Sequence, residues 1–171
     1  MQEHTTANKF SAGYLKALRV VIYALVIASG IGVFIMILTT CADVVLRRFG
    51  YPVIGAYDIV KIAGALTLAS AMPYTTAVKG HVAIEYFFHK FNRTTRIVVD
   101  SILRIMSMVL FSFLSWRSVL YGNELLHNNQ VTQTLQMPVF WVPYVIGFCC
   151  VMVVLVIGFN LIHPGREMIK P

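Results

Sequence analysis

The sequence predicts an all-α membrane protein: four transmembrane helices, an amphipathic interfacial segment, and N and C termini in the cytoplasm. Three observations carry this. Of the 171 residues 58% are hydrophobic and 12% charged, with a mean hydropathy of +0.74. Four long runs are nearly free of charge, and the basic residues fall almost entirely on one side of them. A soluble domain carries about a quarter charged residues, and a disordered chain needs low hydrophobicity with high net charge, so both classes are excluded. The length suggests one membrane domain over 1–171, with little room for a separate soluble module.

A helix crosses roughly 30 Å of hydrocarbon with about 20 apolar residues. The first span, 20–42, has no charge between Arg19 and Asp43. It is too long for the core of a signal peptide and lacks a persuasive cleavage site, so it reads as a retained span. Before it, Phe10, Tyr14 and Leu18 form one helical stripe that suits the inner membrane surface. The second span, 60–79, is short and rich in small residues, with Ala65 and Ala69 at i, i+4 beside Gly64, as Ala28 and Gly32 are in span one. Such faces let helices approach closely in lipid. Pro73 removes a hydrogen bond to Ala69 and predicts a kink.

Between spans two and three, Ile84, Phe87, Phe88 and Phe91 recur at i, i+3, i+4 and i+7. That is one apolar stripe with basic neighbours, fitted to the headgroup boundary or to a partner. A plain extension of span two is the alternative. The third span, 96–121, begins after the helix-start residues around Thr94 and is interrupted by Asp100, Arg104 and Arg117. A polar, uncharged loop, HNNQVTQTLQM, leads into the fourth span, 138–162, which opens on Pro138. Trp116, Trp141 and Tyr144 stand where interfacial anchors belong. A transmembrane barrel would alternate apolar and polar residues, whereas VVIYALVIASGIGVFIMIL is apolar all round.

With four spans, one side collects Lys9, Lys16, Arg19, Lys79, Lys90, Arg93, Arg96, Arg166 and Lys170, and the other only Arg47 and Arg48. The positive-inside rule then places both termini in the cytoplasm. The net charge of +7 is thus a topology and lipid signal, and no motif points to nucleic acid.

The chain offers little chemistry of its own. Cys41, Cys149 and Cys150 lack a C-x-x-C arrangement and read as small packing residues. The five histidines lie in loops or at span ends, away from where a four-helix cytochrome holds haem. No carboxylate lies within spans one, two or four to run a proton relay. No catalytic, cofactor, metal or substrate residues are expected. Asp58 with Lys61, and Asp100 with Arg104, stand at helical spacings where opposite charges meet, and local pairing accounts for both. Arg104 lies deepest and is the best candidate for a charge answered by another helix or a partner.

The order of segments is informative as a whole: DVVLRRFG, then YPVIGAYD, a small-residue span, KGHVAIEYFF, a long third span, and TLQMPVFWVPYVIG. From about Tyr14 to Ile162 this resembles the small membrane subunit of tripartite ATP-independent periplasmic (TRAP) transporters, the DctQ-type family. Arg48 with Gly50, Gly80-His81-Val82, and Pro138 with Trp141 match family landmarks. Asp58 stands where the family usually has Glu, and Glu85 where it often has Asp.

The resemblance implies a scaffold subunit in the bacterial inner membrane. It would pair with a large elevator-type membrane subunit that holds the sodium and substrate sites, while a periplasmic binding protein delivers an organic acid. Arg47, Arg48, Asp58, Lys61 and Arg104 become candidate contacts to these partners, with Arg47, Arg48 and the 122–137 loop on the docking side. The rival class is a stand-alone small membrane transporter or a membrane redox protein.

Overall fold

The computed structural model describes the backbone of residues 3–78 and 93–162 and the side chains of 18–78, 99 and 101–159. The stripe Ile84, Phe87, Phe88 and Phe91 and the Asp100 side chain lie outside the described residues. Four helices account for nearly all the rest: α1, Glu3–Arg48; α2, Ala56–Ala77; α3, Arg93–His127; and α4, Trp141–Ile162. Each contains or closely overlaps one expected span.

Two of the helices exceed those spans. α1 is continuous for 46 residues, about 69 Å at 1.5 Å per residue. The stripe before Arg19 therefore continues the span instead of turning onto the membrane surface. α3 runs 35 residues and ends at His127, six residues past the expected limit at Tyr121. Both stop by the same backbone device. At the end of α1 the Gly50 amide donates to the Arg47 carbonyl and the Tyr51 amide to Leu46. At the end of α3 the Asn129 amide donates to Leu126 and the Gln130 amide to Leu125. In each case one residue takes the left-handed conformation, Gly50 at φ 84° and Asn129 at φ 47°, and the orphan carbonyls are satisfied by Schellman closure.

The helices form two antiparallel hairpins, α1 with α2 and α3 with α4. The hairpins join through α2 and α4, giving the spatial order α1, α2, α4, α3. Small residues set each seam. Gly32 lies directly against Thr67, Gly64 faces the end of the Met36 side chain, and the buried Ser29 hydroxyl donates to the Thr67 carbonyl over 3.1 Å. Ser29, Gly32 and Met36 thus make the α1 face, while Ala28 is exposed. In the second hairpin Gly147 meets Ser115 and Val119, Gly122 lies under the Tyr144 ring, and the Ser115 hydroxyl donates to the Gly147 carbonyl over 3.1 Å. At the end away from the two tight connections, Leu18, Ile22, Ala77, Met152 and Val156 close a common core.

Among the described residues, three helices are long and apolar enough to cross a membrane: Leu18–Arg48, Ser101–His127 and Trp141–Phe159. α2 is not among them, although its 22 residues reach about 33 Å. Asp58, Lys61, two serine or threonine side chains in its middle and Pro73 lower its hydropathy. Its position between α1 and α4 removes much of the need for an apolar exterior. Pro73 is fully buried and α2 continues through it to Ala77. The edges are different. None of the apolar window of α3 is buried within the chain, and Met106, Val109 and Phe113 are each more than 60% exposed. Ile27 and Phe34 on α1 are equally bare.

Candidate functional site

The polar groups of the described chain concentrate at the end where both tight connections lie. Two carboxylates organise it. Asp43, near the end of α1, accepts the Val53 amide at 3.0 Å through Oδ1. Its Oδ2 receives the Arg47 guanidinium at 2.6 Å. Asp43 is mostly covered, whereas the Arg47 side chain is 71% exposed, so this ion pair is screened and weak. Its structural work is done through the amide, which ties the 49–55 connection to α1.

Asp58 performs the equivalent task over a much longer sequence distance. It lies in the first turn of α2, where the partial positive charge of the helix N-terminus favours an anion. It is only 4% exposed. Its Oδ2 accepts the amides of Thr134 at 2.9 Å and Leu135 at 3.1 Å. The Thr134 amide is the chief reason its carboxyl is held below the ordinary aspartate range; burial opposes this, and the Leu135 amide and the Thr132 and Thr134 hydroxyls assist. The expected local pair with Lys61 does not form. Lys61 is exposed, and the carboxylate binds the loop from the other hairpin.

That loop is itself ordered. Thr132 donates its amide to the Met137 carbonyl at 2.9 Å, and the Met137 amide returns to the Thr132 hydroxyl at 3.1 Å. Val131 and Pro138 form an antiparallel bridge, and Gln136 takes φ 50°. The loop is seated by Gly55, which caps α2 at φ 85°. A Cβ there would meet three Leu135 carbons closer than 3 Å, so glycine is required by the backbone and by the neighbour together.

The remaining sequence candidates fall around this end or on the edge helix. Arg48 is exposed beside Arg47. Arg104 is half-buried on α3. Trp116 is 69% exposed and points away from the bundle, and Trp141 is 41% exposed at the start of α4. Tyr144 is instead a helix-to-helix contact: its ring covers Gly122, and its hydroxyl donates to Asn123 Oδ1 at 2.5 Å. Cys149 and Cys150 are buried, and all three cysteines are free thiols. Among the described residues, no three His, Cys, Asp or Glu side chains converge as metal ligands.

Sequence reasoning missed the Asp58 clasp. Its signal was nonetheless present: a carboxylate in a first helical turn, and a Thr-x-Thr loop with no charge of its own.

A helical array with long apolar helices and a polar cap at one end defines a multi-pass membrane protein. Residues 36–165 match the family model described as tripartite ATP-independent periplasmic transporters, DctQ component. That is most of the chain, from the last third of α1 past the end of α4, and the protein belongs to this family: it is a small-subunit-type component of a TRAP transporter. No curated protein and no solved structure matches it.

Proposed function

We propose that this chain is the static membrane subunit of a TRAP transporter in a bacterial inner membrane. It pairs with a large elevator-type membrane subunit for sodium-dependent uptake of an organic acid delivered by a periplasmic binding protein. The family match over 36–165 carries this reading. Physical support comes from the contrast between a sparsely equipped interior and apolar edges on α1 and α3 that the chain does not cover itself. Lipid and the large subunit are the occupants proposed for those edges. Sodium and substrate belong to the large subunit.

All four helices cross the membrane in this reading, α2 included, because α2 runs alongside α4, with Ser70 beside Cys149 and Ala77 in one core with Met152 and Val156. Both termini face the cytoplasm. The basic residues support that orientation, since Arg47 and Arg48 are at the end that holds both tight connections. The same end, with Arg47, Arg48 and the 122–137 loop, receives the binding protein. Lys61 and Arg104 are further candidate contacts to the large subunit. The test of docking is charge reversal at Arg47 and Arg48 together. Uptake should slow while the yield of the two-subunit membrane complex stays unchanged, and normal uptake would refute the assignment.

A further inference from the structure

We propose that Asp58 is a positioning residue for docking: it fixes the 131–138 loop in one geometry and so presets the surface that a soluble partner meets. The proposal rests on the reading that this end of the bundle receives the binding protein. A carboxylate withdrawn from water is costly unless hydrogen-bond donors replace its hydration. Here the donors are the Thr134 and Leu135 amides. They belong to a stretch with no Asp, Glu, Lys or Arg between Glu124 and the end of the described chain, so the carboxylate that holds it comes from the other hairpin.

The geometry makes the effect specific to the loop. The bond spans 76 residues of sequence for Thr134 and 77 for Leu135, and so links one hairpin to the other at the capped end. The two hairpins are held independently elsewhere. Cys149 approaches Ser70, and Ala77 packs with Met152 and Val156 at the opposite end. Losing Asp58 therefore frees the loop without separating the helices. On the far side of the clasp, Gln133, Gln136 and Met137 are exposed. Their placement depends on the two amides beneath them, and an unclasped loop would have to be ordered again at the moment of binding, at an entropic cost to affinity.

The experiment uses the full-length chain, co-reconstituted with its large subunit in proteoliposomes, with the binding protein titrated against sodium-driven uptake. For Asp58→Ala, the half-saturating concentration of binding protein should rise about tenfold, the effect expected for loss of hydrogen bonds to a charged acceptor. The maximal uptake rate and complex yield should stay close to wild type. Hydrogen exchange of the 132–137 amides should accelerate. Asp58→Glu, which keeps the carboxylate, should restore both the half-saturating concentration and the slow exchange.

Faster exchange with an unchanged half-saturating concentration would overturn the proposal, because the loop would then be free without affecting docking. Unchanged exchange would overturn it by showing that Asp58 does not hold the loop. If wild-type uptake were indifferent to the binding protein, the underlying functional reading would fail, and the proposal with it.

Discussion

Gly50 and Gly55 differ by one circumstance that isolates the seating of the outer loop. Both have nearly the same left-handed backbone, φ 84° and φ 85°. An added Cβ at Gly50 meets nothing within 4 Å, whereas at Gly55 it meets three Leu135 carbons closer than 3 Å. Gly50→Ala should therefore cost only the left-handed strain, about 1–2 kcal/mol. Gly55→Ala incurs the same strain and also displaces Leu135. Leu135 is half-buried, and since complete burial of a leucine is worth about 1.5–3 kcal/mol, its displacement adds about 1 kcal/mol.

That difference corresponds to roughly fivefold in an equilibrium constant. Reversible unfolding in mixed detergent micelles measures the two costs. Hydrogen exchange at Leu135 then separates them, accelerating in Gly55→Ala and remaining at the wild-type rate in Gly50→Ala. Equal costs for the two variants, with equal protection of Leu135, would refute the claim that glycine at position 55 serves the loop.

Other consequences follow from the same contacts. Gly32→Val should force α1 away from α2 at Thr67, with a destabilisation of about 1–3 kcal/mol, read as weaker resistance to unfolding in micelles; a neutral result would mean that the helices do not meet there. The Asp58 carboxyl is lowered in the folded chain, so its contribution is complete above the ordinary aspartate value of about 3.9 and is lost as pH falls through the folded value. Protection of the 132–137 amides, corrected for intrinsic rates, should thus be flat from neutrality to about pH 5 and decline only below about pH 4. Arg47→Ala, which removes an exposed ion pair, should change stability by less than about 1 kcal/mol.

The sequence carried the fold further than it carried the site, for a physical reason. Spans such as 20–42 and 138–162 are written in composition, because lipid demands long apolar runs whatever their neighbours are. The same criterion gives α2 its weakest signal: a helix flanked by α1 and α4 can carry Asp58, Lys61 and many small residues. The small residues did mark a seam, but one helical position differed, with Ser29 and not Ala28 beside Gly32. The Asp58 contact joins residues 76 and 77 positions apart. At i, i+3 Lys61 was a plausible local partner, and only the packing of the two hairpins brings the competing amides within reach. The overrun of α3 past Tyr121 has a similar origin: polar residues Asn123 and Glu124 end the apolar pattern without ending the helix, which stops where Asn129 can turn left-handed.

The central claim is that this chain supports transport by another membrane protein and does not transport by itself. The direct measurement is sodium-driven uptake of organic acids into proteoliposomes containing this chain, the large subunit, or both, each with the periplasmic binding protein. The account predicts that the two membrane proteins co-purify and that uptake requires both, with none from this chain alone. Substrate uptake by this chain alone, or full uptake by the large subunit without it, would contradict the account.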